Sequence, residues 1–195
     1  MQFVDTHTHI YLPEFDADRK EVVDRALDAG ITKMVLPNVD LGTIGPMRRL
    51  ASEYPENFSM AIGLHPTEVN QDWEKNLKVI YDELDAHSTE YIAIGEIGID
   101  LYWDKTFRKE QMQVLEQQLK WAIERDLPVI IHCREGLNEV LDVMDSMNEV
   151  PVGVFHSFGG SIEDVRRSRN TGDFYFGING IVTFKNSRLK DVLPE

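Results

Sequence analysis

Disulfide bonding is excluded at once, because the 195-residue chain holds a single cysteine, Cys133. That usage fits a reducing, cytoplasmic compartment. No apolar run approaches the roughly twenty residues a bilayer-spanning helix needs, so no membrane association is expected. The opening Met-Gln-Phe-Val-Asp-Thr-His has neither a basic stretch nor a long apolar one, so no secretory leader is expected either. Positive charge is scarce: 20 lysines and arginines face 34 acidic residues, a net charge of −14. This works against broad, non-specific nucleic-acid affinity, but it leaves room for a local site where metal ions neutralise phosphates. Repeats, low-complexity tracts and interdomain linkers are also missing. A composition that is 42% hydrophobic can bury one real core, so residues 1–195 read as a single domain.

What is present is an alternation of short apolar runs with helical patterns. The runs at 3–9, 32–37, 58–64, 91–99, 127–132, 151–156 and 174–178 read as strands. Helical periodicity fills 16–29, 43–54, 76–87, 107–125, 136–147 and 162–170 between them. Gly30 closes the first helix as a C′ glycine does. Strands such as Val129, Ile130 and Ile131 are apolar on both faces, as in parallel sheets covered on each side. The fold class is therefore α/β, a TIM-type (β/α) barrel with seven βα steps. A closed barrel of this type needs eight strands, so the domain reads as C-terminally incomplete and its eighth strand is expected in a longer parent.

Five of the six histidines stand where these strands end: His7 and His9, His65, His132 and His156. Glu96 lies among them, inside Tyr-Ile-Ala-Ile-Gly-Glu-Ile-Gly at 91–98. Strands that deliver imidazoles and a carboxylate to one rim are how such a barrel builds a metal site. Residues i and i+2 of a strand share a face, so His7 and His9 can reach one ion, with Asp5 beside them. A lone His-x-His is as easily a pair of solvated side chains. Glu96 tips that balance, because an unpaired carboxylate on an apolar strand is costly to bury and a metal removes the cost. A carboxylate can also bridge two ions. His65, in Gly-Leu-His-Pro, and Arg134, beside His132, read as substrate contacts. His87 reads as surface, Cys133 as a small buried hydrophobe, and Arg166, Arg167, Arg169, Lys185, Arg188 and Lys190 as solvated helix faces.

Taken together, these motifs resemble the TatD-type metal-dependent deoxyribonucleases of the amidohydrolase-like barrel group. The resemblance rests on Val-Asp-Thr-His-Thr-His at 4–9, Gly-Leu-His-Pro at 63–66, Gly-Glu-Ile-Gly-Ile-Asp at 95–100 and Gln111 with Gln118. It continues through Ile-His-Cys-Arg-Glu at 131–135, Phe-His-Ser-Phe-Gly-Gly at 155–160 and Gly-Ile-Val-Thr-Phe-Lys at 180–185. It implies one or two divalent ions held by His7, His9, Glu96, His132 and His156, with Glu96 as the bridge and the residue at the centre of catalysis. It also implies an aspartate from an eighth strand, in a Glu-Thr-Asp-Ser-Pro-like motif that is absent from this sequence.

The expected activity is metal-assisted hydrolysis of phosphodiester bonds, with DNA or a related phosphodiester bound at the barrel mouth. Imidazole ligands favour zinc, manganese, iron or nickel over magnesium. Two alternatives stand beside this one: a hydrolase of a small C–N or ester substrate, and a non-catalytic metal- or partner-binding fragment. Replacing the carboxylate, Glu96→Ala, is expected to remove both metal and activity while the fold persists. Elemental analysis, circular dichroism and a nuclease assay on one preparation check this, and full activity in the variant would remove Glu96 from its bridging role.

Overall fold

The computed structural model describes residues 1–187 and 189–193. Arg188, grouped above with the basic helix faces, lies outside the described residues, as do Pro194 and Glu195. Seven parallel strands form one sheet in strict chain order. They are β1 (Phe3–Asp5), β2 (Ile31–Pro37), β3 (Phe58–Ile62), β4 (Tyr91–Asp100), β5 (Val129–Arg134), β6 (Gly153–Phe155) and β7 (Phe174–Phe176). Helices α1 (Arg19–Asp28), α2 (Leu41–Glu53), α3 (Trp73–Ala86), α4 (Arg108–Arg125), α5 (Leu137–Asp145) and α6 (Ile162–Thr171) make the successive crossovers, and α7 (Leu189–Val192) follows β7. Among the described residues, no helix is long and apolar enough to cross a membrane.

Local chemistry accounts for the helices. In α3 the residues Leu77, Ile80 and Leu84 fall on one stripe and are all buried. Capping boxes open α2, where the Asp40 carboxylate accepts from the Thr43 N–H, and α6, where Ser161 and Asp164 exchange bonds. Two core layers result. Small and branched residues from five consecutive strands, Val35, Ala61, Ala93, Ile130 and Val154, fill the inside of the curl. The larger core lies between sheet and helices. The curl itself is measured by two rings: His7, just past β1, stacks on His156, just past β6, with centroids 3.3 Å apart. In a flat sheet five strand spacings would hold them about 24 Å apart.

Some strands are shorter than their sequence pattern. Residues 3–9 were expected as one strand, but β1 stops at Asp5, so His7 and His9 stand beyond its end. Likewise β3 stops at Ile62, three residues before His65, and β6 at Phe155, one before His156. The rim backbone still bonds to its neighbours: the Thr8 N–H donates to the Val35 carbonyl, the His65 N–H to that of Val39 and the His156 N–H to that of Ile131.

Helix α4 pins that mouth. Gln118 is fully buried and its carboxamide pairs with the Leu64 backbone, accepting from N at 2.7 Å and donating to O at 3.4 Å. Gln111, two turns earlier, does the same for Asp100, at 2.9 and 3.1 Å. Two amides thus replace the ladder partners that the ends of β3 and β4 lack. Opposite them, Gly98 pairs with His132 at a φ of +141°, and a Cβ there would lie 1.9 Å from the His132 carbonyl oxygen. Gly98→Ala is therefore expected to cost about 3 kcal/mol or more. Urea denaturation reads this directly, and an unchanged midpoint would contradict the close approach.

Candidate metal centre

Glu96 lies in β4 where the pairing with β5 slips between Ile94 and Ile97. The Asn38 backbone clamps this point, its N–H donating to the Gly95 carbonyl and its own carbonyl accepting the Glu96 N–H, each at 3.1 Å. The side chain is only 2% exposed. An ionised carboxylate at that depth costs several kcal/mol unless it is paired. Its two oxygens face different neighbours. Oε2 is 3.1 Å from His7 Nε2 and 3.3 Å from His9 Nε2. Oε1 is 3.1 Å from His132 Nδ1 and 3.7 Å from His65 Nε2. Burial alone raises the Glu96 pKa, but the hydrogen bonds from His132, His65, His7 and His9 overcome it and hold the carboxyl well below its usual range.

The outer nitrogens set the tautomers. Buried Tyr11 donates its one hydroxyl proton to the Pro37 carbonyl, so it must accept from His9 Nδ1 at 2.9 Å. His9 therefore carries a proton on Nδ1, and its Nε2 faces Glu96. Burial, with Glu96 and Asp40 nearby, raises the Tyr11 pKa and keeps that hydroxyl neutral. On the other side, His132 Nε2 lies 2.9 Å from Asp100 Oδ2, which accepts its proton and leaves Nδ1 facing Glu96. A carboxylate behind a histidine is the usual device for orienting a ligand ring. His65 is held through Nδ1 by Thr67, 2.7 Å from Oγ1 and 3.2 Å from N, and its Nε2 lies 3.2 Å from His132 Nδ1.

The donor set fits a metal. His7, Glu96 and His156 place one ligand atom each within 4.8 Å of one another, and so do His65, Glu96 and His132. His7 Nδ1 is buried without a hydrogen-bond partner among the described residues. Burial, reinforced by His7, lowers the His156 pKa to about 4, so its ring is neutral near pH 7 and has a lone pair to offer.

All five histidines read from the sequence thus converge on Glu96, including His65. Asp5 instead holds the backbone, accepting the His7 N–H at 3.1 Å. Arg134 lies at the rim with its guanidinium over the Tyr102 ring, 3.6 Å from the centroid. With His132, His156, Asn138 and Arg167 it lines a cleft of about 810 Å³. His87 is at the surface, bridging Arg48 and Glu90. Burial pushes the Cys133 thiol up to about 12, which keeps it unreactive. Asp100 and Tyr11 were missed. Asp100 falls four residues after Glu96 at the end of the same strand, a signal that was legible. Tyr11 gave none.

Asp100→Asn keeps an acceptor for the Tyr102 N–H but removes the charge behind His132. Metal affinity is expected to fall about ten- to a hundredfold with little change in fold. Competition against a chelator checks this, and unaltered affinity would show that the His132 ring needs no such support.

Comparison with known proteins agrees with this centre. The family model described as TatD related DNase matches residues 4–195. The metal-dependent hydrolase YabD of Bacillus subtilis is 35% identical over 193 residues, covering 98% of this chain and 74% of the relative. The 3′-5′ ssDNA/RNA exonuclease TatD of Shigella flexneri is 31% identical over 184 residues, covering 93% and 69%. The crystal structure of YjjV, a TatD homologue from Escherichia coli, superposes with a TM-score of 0.88 at 30% identity, over 98% of this chain and 73% of that one. On both sequence and fold, this chain belongs to the TatD-related DNase family.

Proposed function

We propose that the protein is a divalent-metal-dependent deoxyribonuclease that hydrolyses phosphodiester bonds at the mouth of its barrel. The observation that carries this reading is the buried Glu96 carboxylate, whose two oxygens face separate imidazole sets. His7, His9 and His156 would hold an ion on the Oε2 side, His132 would hold one on the Oε1 side, and Glu96 would span them. Bound there, such ions supply Lewis-acid stabilisation of phosphoryl charge and lower the pKa of water towards neutrality.

The chain's own side chains do the rest. Tyr11 and Asp100 hold His9 and His132 in ligand-ready tautomers, so little reorganisation accompanies binding. His65, with Nε2 3.7 Å from Glu96 Oε1 at the same mouth, would donate a hydrogen bond to a phosphoryl oxygen. Arg134 and Arg167, both in the cleft, are cations for the next phosphate. Imidazole donors favour zinc, manganese, iron or nickel as the resident ion. The lone cysteine and the family's chemistry favour a cytoplasmic setting.

Elemental analysis after extensive dialysis is expected to find one or two equivalents of a transition metal. The same preparation should release nucleotides from DNA, and a chelator should stop it. Intact DNA together with turnover of an amide or carboxylic ester would move the assignment to a small-molecule amidohydrolase.

A further inference from the structure

Two aromatic side chains stand at this mouth with no part in the core. Tyr102 and Trp103 follow the last residue of β4, and they are 48% and 72% exposed. Their rings meet edge to face, 4.8 Å between centroids at 86°. The Arg134 guanidinium, from the end of β5 in register with Asp100, lies 3.6 Å above the Tyr102 ring and 5.2 Å from that of Trp103. The turn is built rather than loose. Asp100 Oδ1 accepts the Tyr102 and Trp103 N–H groups at 3.0 and 3.4 Å, while Oδ2 holds His132. One buried carboxylate therefore ties the aromatic pair to His132, itself 3.1 Å from Glu96.

We infer that Tyr102 and Trp103, with Arg134, form a stacking platform for an unpaired nucleobase next to the scissile phosphate. This rests on the nuclease reading above. A protein of net charge −14 has few cations with which to grip a phosphate backbone, so affinity has to come from elsewhere. Stacking of a base on an aromatic face supplies it and tolerates any sequence. Within a duplex both faces of each base are already covered, so the platform selects single strands or frayed ends. Arg134 serves twice: it braces the Tyr102 ring by a cation–π contact, and its N–H edge meets a phosphate beside the stacked base. Phe3, Val4 and Tyr175 are comparably exposed, but they lie on the edge strands β1 and β7.

The test is binding of a fluorescein-labelled oligothymidylate with phosphorothioate linkages, read by anisotropy and by quenching of tryptophan emission, against a duplex of equal length. The wild-type chain is expected to show quenching and to prefer the single strand. Trp103→Ala should weaken single-strand binding about tenfold or more. Trp103→Phe should keep most of the affinity while losing the quenching. Tyr175→Ala, an equally exposed control, should change neither. Equal affinity in Trp103→Ala, no preference over the duplex, or no binding by the wild type would each overturn the platform. Binding with these signatures but no hydrolysis of an ordinary DNA strand would keep the platform and remove the nuclease reading; hydrolysis with unaltered binding in Trp103→Ala would do the reverse.

Discussion

A carboxylate that is 2% exposed, Glu96, is the constraint around which the rest of the structure is arranged. Left alone at that depth it would neutralise itself or destabilise the fold. Imidazoles from the ends of four other strands prevent this, and they can reach it only because the sheet curls. The stacking of His7 on His156 measures that curvature at the rim. The small inward side chains Ala61 and Ala93 permit it below the site. Fold and site are one solution to the same electrostatic problem.

A second set of contacts decides which way each ring faces. Tyr11 behind His9 and Asp100 behind His132 are buried and hydrogen-bonded on their far sides, so neither histidine is free to rotate. Thr67 holds His65 through Nδ1. Outer hydrogen bonds thus fix the orientation of these rings around the carboxylate.

Charge shapes the mouth as much as it shapes the centre. A net charge of −14 repels polyanions overall, and Arg134 and Arg167 are the cations that line the cleft. The turn after β4 stands at the edge of that cleft and hangs on the same Asp100 that orients His132. The aromatic turn and the His132 ring are thus tied to one side chain.

The strand-end histidines and Glu96 were legible in the sequence because parallel strands bring their C-terminal ends to a common rim, so position along the chain predicts position in space. The alternation of apolar runs and helical stripes determined the seven βα steps for the same local reason. What the sequence could not decide were relations across the barrel: that Glu96 offers a different oxygen to each imidazole set, that Gln111 and Gln118 finish the ends of β4 and β3, and that Tyr11 fixes a tautomer. These depend on curvature and on a local slip in register, which arise from the packing of the whole sheet and leave no periodic trace in any one segment. The sequence determined which groups come to the rim; only the curled tertiary structure decided which atom of each faces which.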